Sequence, residues 1–282
     1  MTEPTLPALA VTGSTGHLGG RVARALADAG VAQRLLARTP SKAPALPGAI
    51  VVASSYADDD ETRRSLEGVA VLFMVSASES ADRLDRHFAF VDAAAAAGVQ
   101  HVVYTSFFHA APESTFTLAR DHWHTERRIK ASGMAWTFLR DNLYLDFLPA
   151  MVGADGVIRG PAGDGRVAVV TRADIAACAV AVLASPGEHV GRTYELSGPE
   201  ALTLDEVAAV LTAHTGRTVG YHRETVPEAY ESRRAWEAPD WQYDAWVSTY
   251  TAIAAGELAD VTGDVEALTG RAPMSLAEHL SR

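Results

Sequence analysis

The chain has 282 residues, 24 Lys+Arg against 35 Asp+Glu for a formal net charge of −11, and 48% hydrophobic and 21% charged residues. These proportions exclude a disordered or collagen-like chain and allow one large or two moderate domains with a substantial core. The acidic balance argues against a nucleic-acid partner, whose phosphates are gripped by Lys and Arg. The single cysteine, Cys178, excludes an intrachain disulfide and suits a reducing, cytoplasmic setting.

In chain order, the Met-Thr-Glu-Pro start is acidic and too short before the first strand for a secretory signal. No apolar stretch approaches the roughly 20 residues of a membrane helix, so no membrane partner is expected. Strands are predicted at Leu9–Thr12, Gln33–Ala37, Ile50–Ala53, Val69–Val75, His101–Thr105 and Ala135–Leu139. Helical patterns fall between them at Gly16–Ala29, Asp60–Leu66, Arg83–Ala97 and Thr117–Ser132. Apolar runs without strict alternation mark strands buried on both faces, and strand–helix repetition at this spacing predicts an α/β, Rossmann-type doubly wound parallel sheet.

Beyond residue 140 the rhythm breaks. Glycines 153, 156, 160, 163 and 165 surround two short strand-like pieces, Val157–Arg159 and Val167–Val170. A helix is predicted over Arg172–Leu183, with Thr171 and Asp174 spaced as a capping box, and the same signature recurs at Thr203/Glu206 and Ser275/Glu278. The expected organisation is a cofactor-binding domain over 1–150 and a smaller, largely helical substrate-capping region over 151–282 that partly joins the sheet. Trp236, Trp241 and Trp246 in that region read as packing anchors, with a stacking surface for an aromatic substrate as the alternative.

The most informative segment is Leu9-Ala-Val-Thr-Gly-Ser-Thr-Gly-His-Leu-Gly-Gly20. Directly after a strand and at the opening of a helix, Gly13 permits a tight turn, Gly16 admits a pyrophosphate close to the backbone, and Gly19 lets helix and strand pack closely. The helix N-terminus adds unpaired N–H groups and a partial positive charge. Arg38 stands at the end of the second strand, where an NAD-preferring site carries a carboxylate, and Lys42 follows. A guanidinium matches a 2′-phosphate, so NADP(H) is favoured; the alternative is a solvated surface charge. Ligands of such sheets lie outside the strands' carboxyl ends, which places Ser76, Ala77 and Ser78 beside the cofactor and Thr105 and Ser106 near the nicotinamide.

None of the eight tyrosines is followed four residues later by Lys, so the Tyr-x-x-x-Lys pair of classical short-chain dehydrogenases is absent. The best remaining proton donor is His122, one helical turn from Glu126; the alternative is a polar residue on the helix surface. Cys178 sits in a helical pattern and reads as core. No His, Cys and carboxylate cluster has metal-ligand spacing, so no metal is expected.

Val11-Thr-Gly-Ser-Thr-Gly-His-Leu-Gly19, Tyr104-Thr-Ser-Phe107, the His122…Thr125-Glu126 helix, Phe138-Leu-Arg-Asp-Asn-Leu-Tyr144, Gly160-Pro-Ala-Gly-Asp-Gly-Arg166 and Thr171-Arg-Ala-Asp-Ile-Ala176 together resemble one family. This is the NmrA-like, atypical branch of the short-chain dehydrogenases/reductases, with type-2 NAD(P)H:quinone oxidoreductases and triphenylmethane reductases most similar. The resemblance implies NADPH contacts from Gly13, Ser14, Thr15, Gly16, His17, Leu18, Arg38, Ser76 to Ser78, Arg140, Asn142, Tyr144 and Arg172. In the phenylcoumaran and isoflavone reductase cousins a catalytic Lys precedes a helix-ending Gly by eleven residues. Counting back from Gly133 gives His122 instead, the quinone-reductase pattern. Asp141 departs from the family's Asn.

The leading expectation is an NADPH-dependent reductase of a quinone-like or conjugated aromatic acceptor, with His122, Ser106 and Tyr144 in its active site and a homodimer allowed for. The alternatives are an NADP(H)-binding redox sensor without chemistry, as in some NmrA-like proteins, and a specialised biosynthetic reductase or isomerase.

Overall fold

Buried parallel strands need apolar side chains on both faces, and the first half of the chain supplies them. The computed structural model describes residues 6–282; the Met-Thr-Glu-Pro start lies outside the described residues. Strand β1 (Leu9–Val11), helix α1 (His17–Asp28), β2 (Gln33–Ala37), β3 (Ala49–Ala53), α2 (Asp60–Leu66), β4 (Val71–Met74), α3 (Arg83–Ala96), β5 (His101–Phe107), α4 (Thr117–Ala131) and β6 (Ala135–Asp141) follow one another. Each predicted strand and helix of this half is present within two residues of its expected ends. All residues of β2 and β5 are buried, as a sheet covered on both faces requires.

The second half contains β7 (Val157–Gly160), β8 (Arg166–Val167), α5 (Arg172–Ala184), β9 (Arg192–Leu196), β10 (Leu202–Thr203), α6 (Leu204–Thr215), β11 (Gly220–Arg223), α7 (Val226–Arg233), α8 (Asp240–Ala254), α9 (Asp264–Thr269) and α10 (Leu276–Leu280). The seven-stranded sheet runs β3-β2-β1-β4-β5-β6-β9, and β3, β2, β1, β4 and β5 pair in parallel. This is the doubly wound order, reversing direction between β1 and β4.

Three features differ from the sequence reading. The alternating Arg-Thr-Tyr-Glu-Leu of β9 forms the seventh strand of the main sheet. β7 pairs in parallel with the unforeseen β11, Gly220 opposite Val157. The piece expected over Val167–Val170 is only the two-residue β8, antiparallel to β10; Val170 instead bridges to Tyr144.

Contact density divides the chain into two units. The first holds the described residues up to Ser106, Trp123–Leu139 and Ile175–Tyr194. Its core gathers Leu36, Leu72, Val102, Tyr104 and Phe138 from strands with Phe90 and Ile129 from helices. The second holds Phe107–His122, Arg140–Asp174 and Glu195–Arg282, with a core that includes Phe116, Leu145, Ile158, Leu204, Leu211 and Ile253. No helix among the described residues is long and apolar enough to cross a membrane.

Candidate functional site

The loop between β1 and α1 is built by glycine. Gly13 takes φ +64°, a left-handed conformation, and its carbonyl accepts the Gly16 N–H at 2.9 Å. A Cβ on Gly19 would fall 2.4 Å from Gly13 O and 2.7 Å from Thr12 O, so any side chain there forces helix and strand apart. Gly20 is also close-packed: a Cβ would lie 3.0 Å from Ser14 O, a constraint the sequence reading missed although the Gly-Gly pair advertised it. Gly16 is the N-cap of α1, no side chain caps it, and the first turn carries no acidic residue. Beside this bare helix start the Ser14 hydroxyl is buried with no hydrogen-bond partner among the described residues. A buried hydroxyl without a partner is costly, and unpaired N–H groups at a helix N-terminus attract anions. The loop therefore fits a phosphorylated ligand.

Arg38 follows β2, is exposed, and makes no ion pair or hydrogen bond among the described residues.

The carboxyl ends of β1 and β4 are tied together around the reversal of strand order. The Val75 N–H donates to Thr12 Oγ1 at 2.8 Å, and Thr12 Oγ1 lies 2.9 Å from the Tyr56 hydroxyl, which itself donates to Val75 O. Burial pushes the Tyr56 phenol above its usual range. The segment after β4 is pinned next: Ser76 N–H donates to Thr105 Oγ1 at 2.9 Å and Ala77 N–H to His87 Nε2 at 2.9 Å. An amide can only donate, so His87 Nε2 is unprotonated; its Nδ1–H then donates to Thr125 Oγ1 at 2.9 Å. Burial, aided by the Arg83 charge, holds His87 well below the ordinary imidazole range and keeps it neutral. Tyr56 and His87 were not singled out from the sequence, and Thr125 entered only as part of the His122…Thr125-Glu126 motif. The available signal was the spacing of His87 with Phe90, Val91 and Ala94, which puts the imidazole on the apolar face of α3.

Ser106, at the end of β5, is fully buried, and its hydroxyl donates to Glu126 Oε1 at 2.6 Å. His122 is buried too, on the same helix α4 as Glu126, with its ring centroid 6.1 Å from that of Phe107.

In the second unit the backbone pairs Leu145 N–H with Val170 O at 2.9 Å and Val170 N–H with Leu143 O at 3.0 Å. This brings Tyr144 beside Arg172, whose guanidinium lies 4.6 Å over the phenol ring. The Arg172 N–H donates to Asp146 Oδ2 at 2.8 Å, and Thr171 caps α5 by accepting Asp174 N–H at 2.9 Å. Two other expected contact residues have internal partners. Arg140 donates to Glu195 Oε1 at 2.9 Å; Asn142 donates to Leu258 O at 3.1 Å and accepts the Leu143 N–H.

A cavity of about 250 Å³ opens at the carboxyl end of β5, lined among others by Phe107, Phe108, Phe116, His109, Glu113 and Glu257. His109 takes φ 48°, the one non-glycine residue in the left-handed region among the described residues. It is held there by its N–H donating to Glu195 Oε2 at 2.9 Å and by stacking on Phe108 at 4.2 Å. The sequence reading missed this aromatic pocket, although Phe107-Phe108-His109 directly follows the strand whose end it had singled out. Of the three tryptophans, Trp236 is 62% exposed and the other two half-buried, so Trp236 is not a core anchor. Cys178 is fully buried, as expected.

The fold and loop define a doubly wound protein of the dinucleotide-binding type. The model of the NmrA-like family matches residues 7–239, and the chain belongs to that family, as its motifs suggested. It is 36% identical over 280 residues, 97% of each chain, to quinone oxidoreductase 2 of Escherichia coli strain K12. A crystal structure of an Escherichia coli NADPH-dependent quinone oxidoreductase complexed with NADPH is similar with a TM-score of 0.88 at 35% identity, covering 97% of this chain and 98% of that one. Citrobacter triphenylmethane reductase complexed with NADP(H) is similar with a TM-score of 0.85 at 31% identity, covering 97% of this chain and 99% of that one.

Proposed function

We propose that the protein is an NADPH-dependent reductase whose acceptor is a quinone-like or conjugated aromatic molecule. The observation that carries this reading is the glycine loop, with its uncapped helix start and the unpartnered buried hydroxyl of Ser14. The Gly13, Ser14, Thr15, Gly16, His17, Leu18 and Gly19 segment would hold the pyrophosphate, and Arg38 would select the 2′-phosphate. The pinned Ser76–Ser78 segment and Thr105 would border the cofactor. Tyr144 and the Arg172 stacked on it would add an aromatic and cationic contact, with Arg140 and Asn142 shaping the segment that leads into Tyr144. When bound, the nicotinamide supplies the hydride.

The chain's own residues then orient ligands and handle the proton. The hydroxyl proton of Ser106 is committed to Glu126, so Ser106 serves as an acceptor and His122 is the group left to supply a hydrogen bond or proton. A quinone suits this sparse equipment, because the anion formed on reduction is delocalised over its ring. The three phenylalanines lining the cavity at β5 suit a flat ring. The relatives named above, two described as quinone oxidoreductases and one as a triphenylmethane reductase, support this class of acceptor.

The test is calorimetry with NADPH and NADH on wild type and Arg38→Ala, followed by NADPH oxidation with a panel of quinones. Arg38→Ala is expected to weaken NADPH by about tenfold or more, the scale of a lost charge-assisted pair, and to leave NADH nearly unchanged. Tight NADPH binding with no turnover of any quinone would favour a sensor instead.

A further inference from the structure

The cavity at the end of β5 has a sign as well as a shape. Phe107 and Phe116 stand 4.8 Å apart by ring centroids, and aromatic faces carry the negative end of a quadrupole. Two acidic residues share the lining. Glu257 is fixed in place by the N–H and hydroxyl of Thr115. Glu113 is exposed, and its carboxylate has no ion pair or hydrogen bond among the described residues; the Arg120 guanidinium is turned to the neighbouring Ser114 carbonyl, at 2.8 Å from its Nε. No Lys or Arg lines the cavity among the described residues, and the one basic side chain there, His109, has Asp260 Oδ2 at 3.6 Å from its Nε2. The fixed charges of the lining are therefore all negative.

The geometry points to a charge filter: the cavity accepts planar aromatic molecules that are neutral or cationic and turns away the same rings bearing a sulfonate or phosphate, with Glu113 and Glu257 setting the sign. This rests on the reading in which the acceptor's ring lies in this cavity. An anionic substituent meets two carboxylates and no Lys or Arg of the lining, whereas a cation gains from both carboxylates and ring faces.

The experiment uses the full chain and three naphthalenes that cannot be reduced, carrying a carboxamide, a sulfonate or a trimethylammonium group. Their affinities are measured by calorimetry, and each is then tested as an inhibitor of NADPH-driven quinone reduction. At low ionic strength the trimethylammonium probe is expected to bind about tenfold tighter than the sulfonate, and the gap is expected to narrow as salt rises. Glu113→Lys should move that ratio toward the sulfonate by about tenfold, and Glu257→Gln, which can still accept from Thr115, by less. Glu61→Lys, the same change of net charge on exposed α2, should leave the ratio where it was. Equal binding of all three probes, or a Glu61→Lys shift as large as that of Glu113→Lys, overturns the filter. Competitive inhibition regardless of sign removes the filter and keeps the acceptor reading. Failure of every probe to bind, or binding without inhibition, removes both.

Discussion

At the scale of single residues, the least expected groups are polar ones buried in the sheet's own layer. Arg34 sits within β2 at 1% exposure, its Nη1 donating to Ser65 O at 2.6 Å and Glu67 O at 3.0 Å. It thereby satisfies carbonyls at the end of α2, and burial lowers its pKa. His87 has the more testable role. The folded protein holds it neutral, while the unfolded chain protonates it near the ordinary imidazole value of 6.5. Below about pH 6.5 the unfolded state therefore binds a proton that the folded state refuses. Stability is complete above that pH and falls as pH drops, by up to about 1.4 kcal/mol per pH unit for this one group. His101, also lowered by burial and by His189, acts in the same direction. In His87→Gln the amide retains an acceptor for Ala77 and a donor for Thr125, so the fold survives while the titration is lost. Denaturant melts of wild type and variant across the acidic range should show the flatter curve in His87→Gln. Parallel curves would mean that His87 does not stay neutral in the folded state.

At the scale of elements, the β1–loop–α1 unit was legible in the sequence because each of its constraints is local. Gly13 answers a backbone angle, and Gly19 answers a contact only six residues back. Gly19→Ala would put a methyl group 2.4 Å from Gly13 O, so α1 must shift. The expected result is a loss of about 1–3 kcal/mol in thermal stability together with loss of NADPH binding, read by calorimetry. Normal stability with unchanged affinity would show that the close packing is dispensable. Capping boxes were legible for the same reason: Thr203/Glu206 and Ser275/Glu278 form as the spacing predicts. A third box, Thr225/Glu228, has the same spacing and was not picked out; Pro227 at the start of its helix is compatible with such a cap. The strands that escaped detection depend on distant partners. β9 buries only its last residue, Leu196, and β11 is Gly-Tyr-His-Arg, so neither carries an apolar run that local reading can recognise. The same holds for the site. The glycine loop announces itself, whereas the Ser106–Glu126 pair and the His109 strain arise from contacts 20 and 86 residues apart in sequence.

At the scale of the whole molecule, strand order was predictable but the partition of the chain was not visible, since the two units exchange the chain at residues 106, 122, 139, 174 and 194. Periodicity shows which residues are buried and not with whom. The chain provides its own probe of global opening, because its single thiol, Cys178, is fully buried on α5. Maleimide labelling under native conditions requires that helix to come out of the core, so the rate measures the population of open molecules. A ligand bound by the folded state alone suppresses that population by the factor 1 + [L]/Kd. If the glycine loop binds NADPH and Cys178 is exposed only by unfolding that includes the loop, a hundredfold excess over Kd should slow labelling by about a hundredfold. NADH at the same concentration should protect less, because Arg38 gains nothing from an unphosphorylated ribose. A rise in melting temperature with NADPH but no slowing of labelling would show that α5 opens locally. No effect of NADPH on either measurement would remove the cofactor reading itself.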